Sequence, residues 1–167
     1  MQELITRFLS VMRSEYDIHE ALLRLSAEKR EAIVGSAVSD LDKIVRQEQV
    51  LLSQLGALEK RRILCAETLA KTLDVPPADV TMQSFIDRSD GTEKGELADL
   101  KEKLQDLFKE LKKKNDINSK LIQSKLEYIQ GMIGFAGGID EPDAYNAQGK
   151  DLTYKPPKGK NLYDKKA

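Results

Sequence analysis

The chain has 167 residues, room for one ordinary domain, and its 27 lysines and arginines nearly cancel its 28 aspartates and glutamates. Charged residues make up 33% of it and aromatics 5%, with no Trp, a mix that suits long helices and helical bundles rather than sheets. Without a net field there is no electrostatic case for nucleic acid or an anionic membrane as partner. The one cysteine, Cys65, excludes an internal disulfide and offers no metal-ligand spacing.

The opening residues Gln2, Glu3 and Arg7 are charged and amphipathic, unlike a signal peptide. No apolar run approaches the ~18 residues of a membrane-spanning helix. These features lead us to expect a cytoplasmic protein without direct membrane insertion. The expected fold class is all-α: an elongated antiparallel three-helix bundle, or helical hairpin with a long third helix, followed by a flexible C-terminal tail.

The first helix is expected over about residues 2–34. Its stripe alternates steps of four and three through Leu4, Phe8, Val11, Glu15, Ile18, Leu22, Leu25, Lys29 and Ala32. Gly35 and Ser36 break it, and Ser39 is the expected N-cap of the second helix, about 40–73. That helix carries Leu41, Ile44, Glu48, Leu51, Leu55, Leu58, Arg62, Cys65, Leu69 and Leu73 on one face. Pro76 and Pro77 stop it, because proline lacks the N–H and disfavours helix in the residue before it. A short turn of helix is expected after Thr81, around Met82, Phe85 and Ile86, and Ser89-Asp90-Gly91 reads as a loop.

In an antiparallel hairpin, residues at one height have numbers with a constant sum. Glu15 with Arg62 and Lys29 with Glu48 share one such sum, as do Leu4 with Leu73, Phe8 with Leu69 and Leu22 with Leu55. The midpoint falls at Val38 and Ser39, inside the loop that composition marks. The two charged breaks are therefore expected to face each other and to penalise slipped registers; the alternative is that these groups reach out to water and the match is chance.

The third helix is expected over about 92–135, roughly 60 Å at ~1.5 Å per residue. Its first stripe is Leu97, Leu100, Leu104, Leu107, Leu111, Asn115, Asn118, Ile122, Leu126, Ile129 and Ile133. From Ile117 a second stripe appears about 100° around the helix: Ile117, Leu121, Tyr128, Met132 and Phe135. Two readings of it stay open. Helix 1 or the segment around Phe85 covers it, or it is a groove for a partner's amphipathic helix. A stripe of that size buries ~400 Å² of apolar area, and after association costs it leaves roughly micromolar affinity. Asn115 and Asn118 either fix helix register or bind a docked segment.

Chemistry is missing. His19 is the only histidine and Cys65 sits on a core stripe, so both are expected to be packed or solvated rather than catalytic. There is no phosphate-binding loop, nucleophile elbow or HExxH. The Lys112-Lys113-Lys114 run reads as a solvated face, lacking the interleaved aromatics of a single-strand binder. We expect no enzyme, no metal and no cofactor. Residues 1–137 are expected to form a helical domain and 138–167 a flexible tail. The tail holds three of the five tyrosines, Tyr145, Tyr154 and Tyr163; either the segment Tyr145 to Gly149 is a short anchor in it, or the tail is featureless and only solubilises.

The whole chain resembles the FlgN-like flagellar export chaperones of bacteria. The resemblance rests on the long-helix layout and on the block Glu28-Lys29-Arg30-Glu31-Ala32 ahead of a short glycine-containing loop. It rests also on Glu48 followed by Leu51, Leu52, Leu55, Leu58, Glu59 and Arg62. Asn115 and Asn118 leading into Leu121 and Ile122, Tyr145-x-x-x-Gly149, and the ending Leu162-Tyr163-Asp164 complete it. It implies a cytoplasmic chaperone that binds the helical C-terminal segment of hook–filament junction proteins, prevents their premature assembly and delivers them to the flagellar type III export gate. Ile117, Leu121, Tyr128, Met132 and Phe135 would hold cargo, while Tyr145 and Gly149 would dock on the cytoplasmic domain of the gate. The competing expectation is a self-assembling structural coiled coil, using the same stripe for its own copies.

Overall fold

In the computed structural model, which describes residues 1–136, the elements are all helical. They are α1 (Gln2–Gly35), α2 (Val38–Leu73), a 3-10 turn (Pro77–Asp79), α3 (Met82–Ile86) and α4 (Gly91–Ala136). Three long helices, with no strand among the described residues, are the expected fold class. The expected tail, 138–167, lies outside the described residues. The chain divides into one part ending at Ile122 and another beginning at Gln123, and each is taken by itself.

Within residues 1–122, α1 ends because Ser36 turns into the left-handed region at φ 57°. That conformation lets the Ala37 N–H reach the Ala32 carbonyl at 2.9 Å and closes the helix end. The connection is so short that α2 starts at Val38 with Ala37 as its N-cap. The expected cap, Ser39, therefore sits inside the first turn, and no side chain caps this end. Asp74, also left-handed, ends α2 ahead of the two prolines. The short helix after Thr81 forms as expected, with the Thr81 N–H donating to Ser84 Oγ at 3.2 Å.

Lys29 and Glu48 form an ion pair between α1 and α2, which fixes the antiparallel register that the sequence indicates. The other expected pair is not made. Arg62 turns to Glu59, one helical turn back on its own helix, with both arms of its fork at 2.7 and 2.8 Å. A partner at i−3 is held in place by the helix itself, so this bond needs no reach across the interface. Glu15 is left buried at 8% exposure with only the longer-range attraction of Arg62.

α4 runs parallel to α1. Thr6 Oγ1 donates to Glu93 at 2.8 Å, Arg13 grips Glu96 at 2.6 and 2.5 Å, and Asn118 Nδ2 donates to the Ser26 carbonyl at 2.8 Å. The main core joins the helices at the end where α1 begins: Ile5, Phe8, Leu9 and Met12 meet Cys65 and Leu69 of α2 and Leu97, Leu100 and Leu104 of α4. α3 closes it, with Phe85 stacked on Phe8 at 3.7 Å between ring centroids. A smaller cluster of Leu25, Ala32 and Ile44 lies at the hairpin end. Cys65 is buried, and His19 is packed edge-on against Phe108 while its Nδ1 bonds the Glu15 carbonyl at 2.7 Å.

Candidate docking surface on α4

α4 carries leucines at helical spacing through Leu111, and Leu97, Leu100, Leu104 and Leu107 are all buried. The stripe then changes to amides. Ser26 Oγ donates to Asn115 Oδ1 at 3.1 Å, and Asn118, itself buried, donates to Ser26. These three side chains link α1 to α4 and fix their relative register, the first of the two readings open for the asparagines. Asn118 Oδ1 is enclosed without a donor, so it is closed to a docked segment as well.

The second stripe is only partly covered. Ile117 and Leu121 are half-buried. Taken by itself, the stretch 123–136 exposes Tyr128 (68%), Met132 (55%) and Phe135 (93%). Tyr128, Gly131, Met132 and Phe135 line a shallow cleft with walls that are almost wholly apolar. Phe85, one of the candidates to cover this stripe, is instead buried with Phe8.

The first stripe runs on through Ile122, Leu126, Ile129 and Ile133, whose core-like spacing predicts burial, and here the structure differs: all four are exposed. Periodicity gives the direction in which a side chain points, and says nothing about whether another element reaches it. One signal was available. α4 has 46 residues against 34 in α1 and 36 in α2, so its apolar pattern is longer than that of either other helix. The surface can bury apolar groups but offers no chemistry. Among the described residues, no group of three or more potential metal ligands occurs, and no helix is long and apolar enough to cross a membrane. Tyr145 and Gly149 lie outside the described residues.

Charges elsewhere are explained by packing. Burial pushes the Glu15 carboxyl up to about 7, opposed by the attraction of Arg62 and reinforced by the repulsion of Glu59. Burial lowers the His19 imidazole below its ordinary value, against its hydrogen bond to the Glu15 carbonyl, and raises the Cys65 thiol. Arg13 holds the Glu96 carboxyl below the ordinary range through their hydrogen bonds.

A family model described as "FlgN protein" matches residues 1–153. A Bacillus subtilis (strain 168) protein described as "Uncharacterized protein YvyG" is 30% identical over 152 residues, covering 90% of this chain and 91% of its own length. No solved structure matches the chain. The family match takes in every described helix and continues through Tyr145 and Gly149. The chain belongs to the FlgN family.

Proposed function

We propose that this chain is a cytoplasmic export chaperone that holds the helical C-terminal segment of a hook–filament junction protein on the end of α4. Membership of the FlgN family implies the role of a flagellar export chaperone, and that family is not one of enzymes. The observation that carries the reading is the exposure of Tyr128, Met132 and Phe135 on one stripe of a regular helix, around an apolar cleft. Large apolar groups gathered on one exposed face mark a docking surface, and a stripe at helical spacing fits an amphipathic helix laid into it. Ile117 and Leu121 belong to the same stripe by spacing and would extend the cargo site. Capture of this segment would keep the cargo from assembling early. Tyr145 and Gly149 would dock the loaded chaperone on the cytoplasmic domain of that gate.

The test uses the junction protein of the same bacterium, titrated calorimetrically. Met132→Asp should abolish binding while circular dichroism stays helical; unchanged affinity would remove this stripe from the site. Tyr145→Ala should spare cargo binding and weaken capture by the gate domain. If it is cargo that is lost, the tyrosine is a clamp on the cargo.

The rival reading, a self-assembling coiled coil, draws on the same exposure, now including Leu126, Ile129 and Ile133. Light scattering separates the two, since a self-assembling rod stays oligomeric without any other protein.

A further inference from the structure

The end of α4 is apolar over more than one stripe. At ~100° per residue, Leu126, Ile129 and Ile133 fall in one row, and all three are exposed. Tyr128, Met132 and Phe135 lie about a third of a turn away. Lys125, half-buried, falls between the two rows. Gln123, Glu127 and Gln130 occupy the opposite side and are exposed. About half the circumference is therefore apolar, arranged as two rows separated by a lysine.

One docked helix covers one such row, since a core-facing stripe is about 100° wide. A helix apolar over half its circumference has the pattern of a bundle member, which touches two neighbours. The area agrees. The four turns from residue 123 to 136 extend ~20 Å, and a helix laid along one row buries roughly 400 Å². Stable interfaces take about 800 Å² from each partner, which needs both rows.

We infer that the occupant of the α4 end is a pair of helices from one partner chain, one seated on Leu126, Ile129 and Ile133 and the other on Tyr128, Met132 and Phe135. The partner thereby completes a three-helix bundle around α4. This rests on the cargo-docking reading above and specifies the cargo: the recognised unit is two adjoining amphipathic helices, not one. The first row is wholly aliphatic, so what seats there should present aliphatic side chains at steps of three and four. The second row, with its aromatic rings and the notch at Gly131, where a side chain would meet nothing, admits a closer or bulkier helix.

The test titrates the full-length chaperone with two probes, the complete junction protein and a synthetic peptide of its last amphipathic helix alone. Ile129→Asp strikes the first row and Met132→Asp the second; both positions are exposed, so the fold should survive, and circular dichroism checks it. Ile129→Ser and Met132→Ser serve if helicity falls. Each aspartate should weaken binding of the complete protein by about 30-fold or more, the scale of an interface hot spot. The single helix should bind at least about 30-fold more weakly than the complete protein and respond to only one of the two substitutions. If Ile129→Asp binds like the wild type while Met132→Asp does not, the second helix does not exist and the one-helix site stands. If both bind like the wild type, the cargo-docking reading itself fails. A chaperone that is dimeric alone and becomes monomeric through Ile129→Asp would show that a second copy fills the first row, which also overturns the inference.

Discussion

Two stretches of α4 carry the same apolar periodicity and meet opposite fates. Leu97, Leu100, Leu104 and Leu107 are buried in the bundle, whereas Leu126, Ile129 and Ile133 stay in solvent on the same helix. Apolar pattern makes a helix face adhesive, and the supply of neighbouring helix decides whether that adhesion folds the protein or remains for a partner. The inner stretch serves stability. The outer one, by the reading above, serves recognition, and a chaperone needs it uncovered when cargo arrives.

Substitutions should separate the two stretches sharply. The largest effect is expected at Leu97, which is fully buried: Leu97→Ala should cost about 2–5 kcal/mol in urea unfolding through lost burial and an unfilled cavity. Ile129→Ser on the exposed stretch should change the same measurement by less than about 0.5 kcal/mol. An equal cost at the two sites would mean that the outer stretch is structural after all.

Glu15 tests the inner region by pH. Its carboxyl ionises near 4.5 when unfolded and at about 7 when folded, chiefly because it is buried. Below 4.5 it is protonated in both states and contributes no difference. Between 4.5 and 7 only the folded state keeps the proton, so stability falls as pH rises, and above 7 the deficit is constant. Glu15→Gln should remove that slope and be the more stable protein at pH 8, by roughly 3 kcal/mol at most. Denaturation midpoints at pH 5 and 8 check it, and a wild-type protein as stable at pH 8 as at pH 5 would refute it.

The smallest expected effect lies on the outer stretch. Gly131→Ala should stabilise the helix by about 1 kcal/mol, since the added methyl meets nothing and glycine is a poor helix former. Helicity measured by circular dichroism on heating reports it. The same methyl narrows the cleft beside Tyr128 and Met132, so cargo affinity should move in the opposite direction to stability.

Much of this was legible in the sequence because helical packing is nearly a matter of counting. The stripes gave three long helices, and the matched charges Lys29 and Glu48 gave the hairpin register. The failures share a cause. Arg62 chose Glu59 over Glu15 because a local partner competes with a distant one, a choice that spacing alone does not rank. Ser39 was a good cap for a helix that began earlier, since the left-handed Ser36 made the turn in two residues. Ile122 to Ile133 looked like core because they have a core's spacing. Whether a neighbour covers such a row is a property of the assembled chain and not of its spacing.

The sulfur of Cys65 has a practical consequence. It is the chain's one thiol, it is 1% exposed among α1 and α4 residues, and burial raises its pKa, so reactive thiolate is scarce while the helices hold together. An alkylating reagent meets it only during excursions that part the core. The molecule thus contains its own stopwatch: the labelling rate in native buffer counts how often the bundle opens, with no probe added.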